Sequence, residues 1–259
     1  MGALVELHVR DDNVGEIRLD RPPMNAISGE VCRQLQACVT EAIDTDDVRA
    51  LVVWGGPKVF AAGADIKEFP DWGRDEAFAG AGVLHQAMDT LAGAPMPTIA
   101  AITGFALGGG FELALACDFR FAADDAKVGF PEILLGLLPG AGGTQRLLRL
   151  VGPTRAKELV FGGRMVGMEE ASQLGLVDGV HTADEVYARA VATAATYAVG
   201  PASMALAKQA IDRGADLPLE EGLALEKELF AAAFATEDKE IGVASFLEHG
   251  PGKATFVGR

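Results

Sequence analysis

The sequence predicts an α/β fold, and three observations carry that prediction. Short strand-like runs alternate with helical patterns through the first half, whereas the second half is a series of helical patterns broken by Gly and Pro. The composition, 49% apolar and 23% charged over 259 residues, is that of a globular chain with a sizeable core. Val5, Leu7 and Val9 alternate with polar residues, as do Ile17 and Leu19 around Arg18, which predicts two early strands. Ser28 stands ready to cap a helix whose apolar residues recur at Val31, Leu35, Cys38, Val39 and Ala42. Residues 50–54 and 98–103 read as buried strands, and 117–121 and 127–130 as two more. Between them, residues 68–92 are polar, alanine-rich and loosely patterned, and this stretch is expected to be mobile. Helices are expected over 154–161, 183–199, 202–213, 219–233 and 236–248, with the change from mixed to helical structure near Gly162 and Gly163. The strand–strand–helix rhythm of the first half hints at an internal repeat.

The bulk numbers also exclude functions. A net charge of -15 argues against a nucleic-acid surface, which needs clustered cations to displace counterions. It leaves room for an anionic small ligand, because a few local lysines can serve one phosphate group. Cys32, Cys38 and Cys117 form neither a CxxC nor a zinc-ligand spacing, and their apolar neighbours fit reduced packing residues in a cytoplasmic protein. The first ten residues mix acid and base and lack the apolar run of a signal peptide. The long apolar stretch 96–117 carries Pro97, four glycines and Glu112, and is expected to be buried core, with no membrane span.

Three segments carry candidate chemistry. Phe60-Ala61-Ala62-Gly63-Ala64-Asp65-Ile66-Lys67 follows one buried strand. Gly104-Phe105-Ala106-Leu107-Gly108-Gly109-Gly110-Phe111-Glu112 follows another and opens an apolar helix. Phe130-Pro131-Glu132-Ile133-Leu134-Leu135-Gly136 continues into Pro139-Gly140-Ala141-Gly142-Gly143-Thr144. A triple glycine at a helix start aims free N–H groups outward, where the helix dipole favours negative charge. The P-loop lysine and the GxGxxG spacing are both absent, which leaves an oxyanion hole or tight helix packing as its use. Glu112 in the first turn either caps the helix or serves chemistry. Glu132 lies in an apolar neighbourhood where an unpaired carboxylate is costly. Two such carboxyls on one site place a proton donor and an acceptor around a substrate.

Together these segments resemble the signature of the crotonase (enoyl-CoA hydratase/isomerase) superfamily, and within it the enoyl-CoA hydratases. The similarity runs over nearly the whole chain, through the Arg21-Pro22-Pro23-Met24-Asn25-Ala26 turn and residues 154–161, 171–177 and 229–238. The resemblance implies a crotonase-like spiral of repeated β-β-α units over residues 1–195 and a C-terminal helical region over 196–259. It implies that the Ala64 and Gly109 N–H groups grip the thioester oxygen. By the same resemblance Glu112 orients and deprotonates water, Glu132 manages the proton at Cα, and the Gly140 N–H helps to hold the water. Ala26, Asp65 and Ile66 would meet the adenine end of coenzyme A through their backbones, and Lys67 and Lys253 its phosphates. Lys253, which the family usually supplies from a neighbouring subunit, is otherwise a solvated surface lysine. The family precedent is a homotrimer that pairs into a hexamer, with an acyl-CoA thioester as partner. No metal or redox cofactor is implied, since coenzyme A enters as part of the substrate.

There are departures from the family pattern. The Arg21–Ala26 turn is one residue shorter than in many hydratases and lacks their lysine, and Phe111 stands where a small residue or cysteine is common. Bulky Phe69, Trp72 and Phe78 punctuate the stretch that lines the acyl pocket in this family. The leading expectation is hydration of trans-2-enoyl-CoA to 3-hydroxyacyl-CoA. The alternatives are an enoyl-CoA isomerase, a hydratase specialised for branched or aryl chains, and a noncatalytic acyl-CoA-binding or RNA-binding relative. Isomerases often keep the Glu132-type carboxylate alone, so the presence of Glu112 favours hydration. No histidine pairs with a nucleophile and no GxSxG is present, which sets a hydrolase triad aside.

Overall fold

The computed structural model describes residues 2–259, and its strands fall into two sheets. β1 (Val5–Val9) and β2 (Val14–Leu19) form an antiparallel hairpin, turned by Asn13 in the left-handed region at φ 61°. α1 (Gly29–Ile43) follows, and Ser28 caps it as expected, its Oγ accepting from the Val31 N–H at 3.2 Å. The helix buries Val31, Leu35, Cys38, Val39 and Ala42, the stripe that the spacing predicts. β3 (Ala50–Trp54) then pairs in parallel with β2.

From here the chain repeats one manoeuvre. β3 lies in the large sheet, β4 (Ala61–Ala62) in the small one, and α2 (Arg74–Ala92) follows. β5 (Thr98–Ile102), β6 (Phe105–Leu107) and α3 (Gly109–Leu115) do the same, as do β7 (Phe119–Ala123), β8 (Lys127–Gly129) and α4 (Gly143–Gly162). The strand–strand–helix rhythm is therefore a real repeat of β-β-α units. β9 (Met165–Gly167) closes the small sheet against β8, α5 (Met168–Gln173) follows, and β10 (Gly179–His181) joins the large sheet beside β7.

The large sheet is buried on both faces, which explains strands that read as continuous apolar runs. Leu51, Val53, Ala100 and Ile102 face the core shared with α1 and α3. Ala50, Val52, Ile99 and Ala101 face α6 (Val186–Ala198), which packs through Ala190, Val191, Ala194 and Ala198. α7 (Ser203–Gly214), α8 (Leu219–Ala233) and α9 (Glu237–His249) complete the chain. In α7 and α8 no residue is buried, and Leu219, Phe230, Phe234, Phe246 and Leu247 are exposed.

Two expectations need correction. Residues 68–92 are mostly regular helix: α2 runs for 19 residues, with Glu76 accepting from the Gly73 N–H at its start. Alanine-rich sequence with scattered apolar residues supports a helix that buries little, and only Ala87, Met88 and Leu91 of α2 are buried. The helix expected at 154–161 is present and opens at Pro153; Gly152 (φ 76°, ψ 167°) leaves helical geometry and divides it from a further helical stretch that starts at Gly143, so α4 is two helices meeting at a kink. The change to purely helical structure does not fall at Gly162, since β9 and β10 lie beyond it.

Asp238 ties the C-terminal region together. Its carboxylate, 1% exposed, accepts from the Ala202, Val257 and Gly258 N–H groups at 2.7–2.9 Å. Burial opposes its charge, and the three backbone donors more than offset this, holding the carboxyl below its usual range. Asp238→Asn is expected to lower the unfolding free energy in urea by about 1.5–3 kcal/mol at neutral pH. Because the folded-state value is depressed, the stabilisation is present above the unfolded carboxyl's titration and disappears as pH falls through the folded value. The gap between variant and wild type should therefore narrow in acid, and a gap independent of pH would contradict the assignment.

Candidate active site

The Arg21–Ala26 turn anchors the first site segment. Asn25, 5% exposed and at φ 49°, donates through Nδ2 to the Gly55, Val59 and Phe60 carbonyls and accepts from the Arg21 N–H. Arg21 reaches the Ala26 carbonyl and the Asp65 carboxylate. That guanidinium contact holds the Asp65 carboxyl below its ordinary range. Asp65 Oδ1 also accepts from the Lys67 N–H at 3.2 Å and so caps a short 3-10 turn at Ile66–Glu68. Ile27 bridges to Ala64 through the Ile27 N–H to Gly63 and the Asp65 N–H to Ile27. This bridge leaves the Ala64 N–H out of the pairing.

The second segment meets the first across β4 and β6. Its three glycines do different work. Gly108 takes φ 48°, and its N–H donates to Gly129 at 2.9 Å. Gly109 is the first residue of α3, so its N–H has no acceptor within the helix. A Cβ at Gly109 would lie 3.5 Å from the Ala64 nitrogen, so the two N–H groups are close neighbours. At Gly110 a Cβ would lie 2.0 Å from the Ala61 carbonyl oxygen, so only glycine lets α3 pack this closely on β4. Tight packing, one of the two uses the sequence left open, is present at Gly110, and the neighbouring Gly109 N–H lies near that of Ala64.

Glu112 is 2% exposed. Its Oε1 accepts from the N–H groups of Ala141 and Gly143, both at 2.7 Å, in the turn that opens α4. Burial raises the Glu112 carboxyl, and those two donors pull it back, with weaker help from the charges of His85 and Arg146. Glu112 therefore does not merely cap its own helix: its carboxylate is held by a different segment. Phe111 packs its ring 5.2 Å from that of Phe130.

Glu132 lies in a 3-10 turn, Pro131–Leu135, that ends at left-handed Gly136. A Cβ at Gly108 would sit 2.5 Å from Glu132 Oε1, which brings this carboxyl beside the triple glycine. Glu132 Oε2 is buried and has no hydrogen-bond partner among the described residues. Burial, reinforced by the charge of Glu112, pushes the Glu132 carboxyl up to about 7. Ala64, Gly109, Glu112 and Glu132 are thus gathered at one place, with half-buried Gly140 just before the Ala141 donor.

Of the other expected residues, Ala26 and Asp65 lie in the same segment pair, and Ile66 and Lys67 are exposed at its edge. Lys253 is exposed in the C-terminal tail, and no contact among the described residues joins it to this cluster. Sequence reasoning missed Ala141 and Gly143 as the donors to Glu112, and Arg21 and Asn25 as the anchors of the Ala64 loop. The Gly142-Gly143 pair and the Asn after a Pro-rich turn were the available signals. A cleft of about 980 Å³ between α2, α4 and α7 includes neither glutamate and reaches the site's rear at Gly142 and Arg146.

One buried and one half-buried carboxyl, set around two N–H groups left out of their local pairing, define an acid/base enzyme of the crotonase class. The chain belongs to the enoyl-CoA hydratase/isomerase family, whose sequence pattern matches residues 10–257. It is 46% identical over 241 residues to "Probable enoyl-CoA hydratase echA8" of Mycobacterium tuberculosis, covering 92% of this chain and 93% of the relative. It is 42% identical over 227 residues to "Probable enoyl-CoA hydratase EchA17" of the same organism, covering 87% of each. The crystal structure of an enoyl-CoA hydratase from Bacillus anthracis superposes with a TM-score of 0.93 at 35% identity, over 99% of this chain and 100% of that one.

The titration of Glu132 gives a stability test. A carboxyl raised from 4.5 to about 7 keeps its proton in the folded state while the unfolded chain has lost it. Its contribution is fully present below 4.5 and is lost as pH rises to about 7. Glu132→Gln carries no such titration, so urea unfolding across this window should show its stability rising relative to wild type. A difference that stays constant with pH would mean that the carboxyl titrates normally.

Proposed function

We propose that this protein is an enoyl-CoA hydratase, adding water across the trans-2 double bond of an enoyl-CoA thioester to give 3-hydroxyacyl-CoA. The observation that carries the reading is the pairing of Glu112 with Glu132 beside the Ala64 and Gly109 N–H groups. In this reading those two N–H groups form the oxyanion hole and hold the thioester oxygen as negative charge develops on it. Glu112, whose Oε1 is engaged by Ala141 and Gly143, keeps Oε2 for a water molecule that the Gly140 N–H helps to hold. Glu112 takes a proton from the water as its oxygen bonds to Cβ, and the enolate collects at the oxyanion hole. Glu132, protonated near neutral pH, delivers its proton to Cα. One proton has then moved from water to Glu112 and one from Glu132 to product, and exchange with solvent restores both carboxyls.

The backbone around Ala26, Asp65 and Ile66 would receive the adenine end of coenzyme A, with Lys67 and a neighbouring subunit's Lys253 near its phosphates. Self-association into a trimer, or a hexamer of paired trimers, fits the exposed Leu219, Phe230, Phe234, Phe246 and Leu247 of α8 and α9. Coenzyme A enters with the substrate, and the chemistry requires no further cofactor.

The direct assay follows the loss of ultraviolet enoyl-thioester absorbance on crotonyl-CoA and on longer chains. Turnover on at least one chain length is expected, and its absence on all of them would overturn the reading. Glu112→Gln and Glu132→Gln should each cut the rate at least about a hundredfold while remaining folded. Near-wild-type rates in both would remove the acid/base assignment.

A further inference from the structure

The donors to Glu112 are themselves held in place. The 141–143 turn gives both N–H groups to one carboxylate oxygen, and its own carbonyl at Ala141 accepts from Arg146 Nη1 at 3.1 Å. The same guanidinium is bound through Nη2 to Asp89 Oδ1, at 2.7 Å, on the last turns of α2. Arg146 lies in the first turns of α4, and its N–H donates to the Gly142 carbonyl at 2.9 Å. Gly142 is at φ 100°, and a Cβ there would meet Arg146 Nη1 at 2.2 Å, so the guanidinium lies directly on the turn. The Arg146 side chain is 21% exposed and Asp89 is 65% exposed. A pair this exposed contributes little stability by itself. Its geometry does something else: it ties α2 to the carbonyl of the 141–142 peptide, which lies between the two peptides whose amides meet Glu112.

We propose that Arg146, held by Asp89, is a positioning residue that keeps the 141–143 turn aimed at the Glu112 carboxylate. It touches neither the reacting atoms nor substrate. It acts through the Ala141 carbonyl, in the peptide that joins the two bearing the Ala141 and Gly143 N–H groups that bind Glu112. Without the guanidinium, the turn's glycines would let these peptides rotate, and Glu112 would lose the fixed orientation that aims Oε2 at water. Lysine is a poor substitute, because a single ammonium cannot present two parallel prongs to a carbonyl and a carboxylate.

The inference rests on the hydratase reading for its kinetic consequence, so the experiment includes a readout independent of turnover. Arg146→Met in the full-length protein should lower kcat on crotonyl-CoA about 10- to 100-fold with KM within about threefold, since orientation of the catalytic group is lost and thioester binding is not. Arg146→Lys should give an intermediate kcat, and Asp89→Asn a smaller loss in the same direction. Hydrogen exchange in the peptide spanning residues 139–147 should quicken about tenfold in Arg146→Met. A folded Arg146→Met with wild-type kcat and wild-type exchange would overturn the proposal and leave an ordinary surface ion pair. If that variant fails to fold, Arg146→Lys carries the same two readouts, and wild-type values in both overturn it. A wild-type protein inactive on every enoyl-CoA, with faster exchange in the variant, would sink the hydratase reading and leave the positioning role standing.

Discussion

A carboxylate enclosed in an apolar core must find hydrogen bonds inside the protein, and Glu112 finds two on a turn remote from its own helix. Much of the site can be understood as the consequence of that need. The Ala141 and Gly143 amides are free to serve because they lie at the start of α4, where N–H groups lack helical acceptors. Gly143 has to be glycine for them to come so close, since a Cβ there would press on Glu112 and Phe130 at 2.6–2.9 Å. The arrangement keeps Glu112 oriented, although burial still raises its carboxyl. Glu132 is raised in the same direction, to about 7, but its buried Oε2 has no hydrogen-bond partner among the described residues. Two chemically identical side chains are thereby given different surroundings, one held by two backbone donors and one with a buried oxygen left unpaired among the described residues.

The repeat supplies the scaffold for this separation. Each β-β-α unit carries the chain from the large sheet to the small one, and the crossings at β4, β6 and β8 bring three distant loops to one place. The Ala64 loop follows β4, the triple glycine follows β6, and Glu132 follows β8. Asn25 and Arg21 then lock the first of these loops from outside the repeat, through backbone carbonyls and the Asp65 carboxylate.

What the sequence disclosed follows from how local each feature is. β3 and α8 are legible to the residue, because an apolar run or a helical stripe bounded by Pro and Gly needs no partner to be recognised. β4, β6, β9 and β10 are two or three residues long and exist only through pairing with distant strands, so no local period marks them. The glutamates stand out as charges in apolar sequence. Their individual roles do not, since the partners of Glu112 lie about thirty residues away and those of Asn25 lie 30–35 away. Arg146 illustrates the limit well: in the sequence it is one arginine after a glycine-rich run, and only the fold sets it on the turn that holds Glu112.

The central claim is that the Ala64 and Gly109 amides receive the thioester oxygen between the two carboxyls. The most direct measurement is a crystal structure with a bound, unreactive acyl-CoA. The account predicts the thioester oxygen at about 2.7–3.1 Å from both nitrogens, with Glu112 and Glu132 flanking Cβ and Cα. A thioester oxygen bound away from both amides, with the acyl carbons distant from the glutamates, would contradict it.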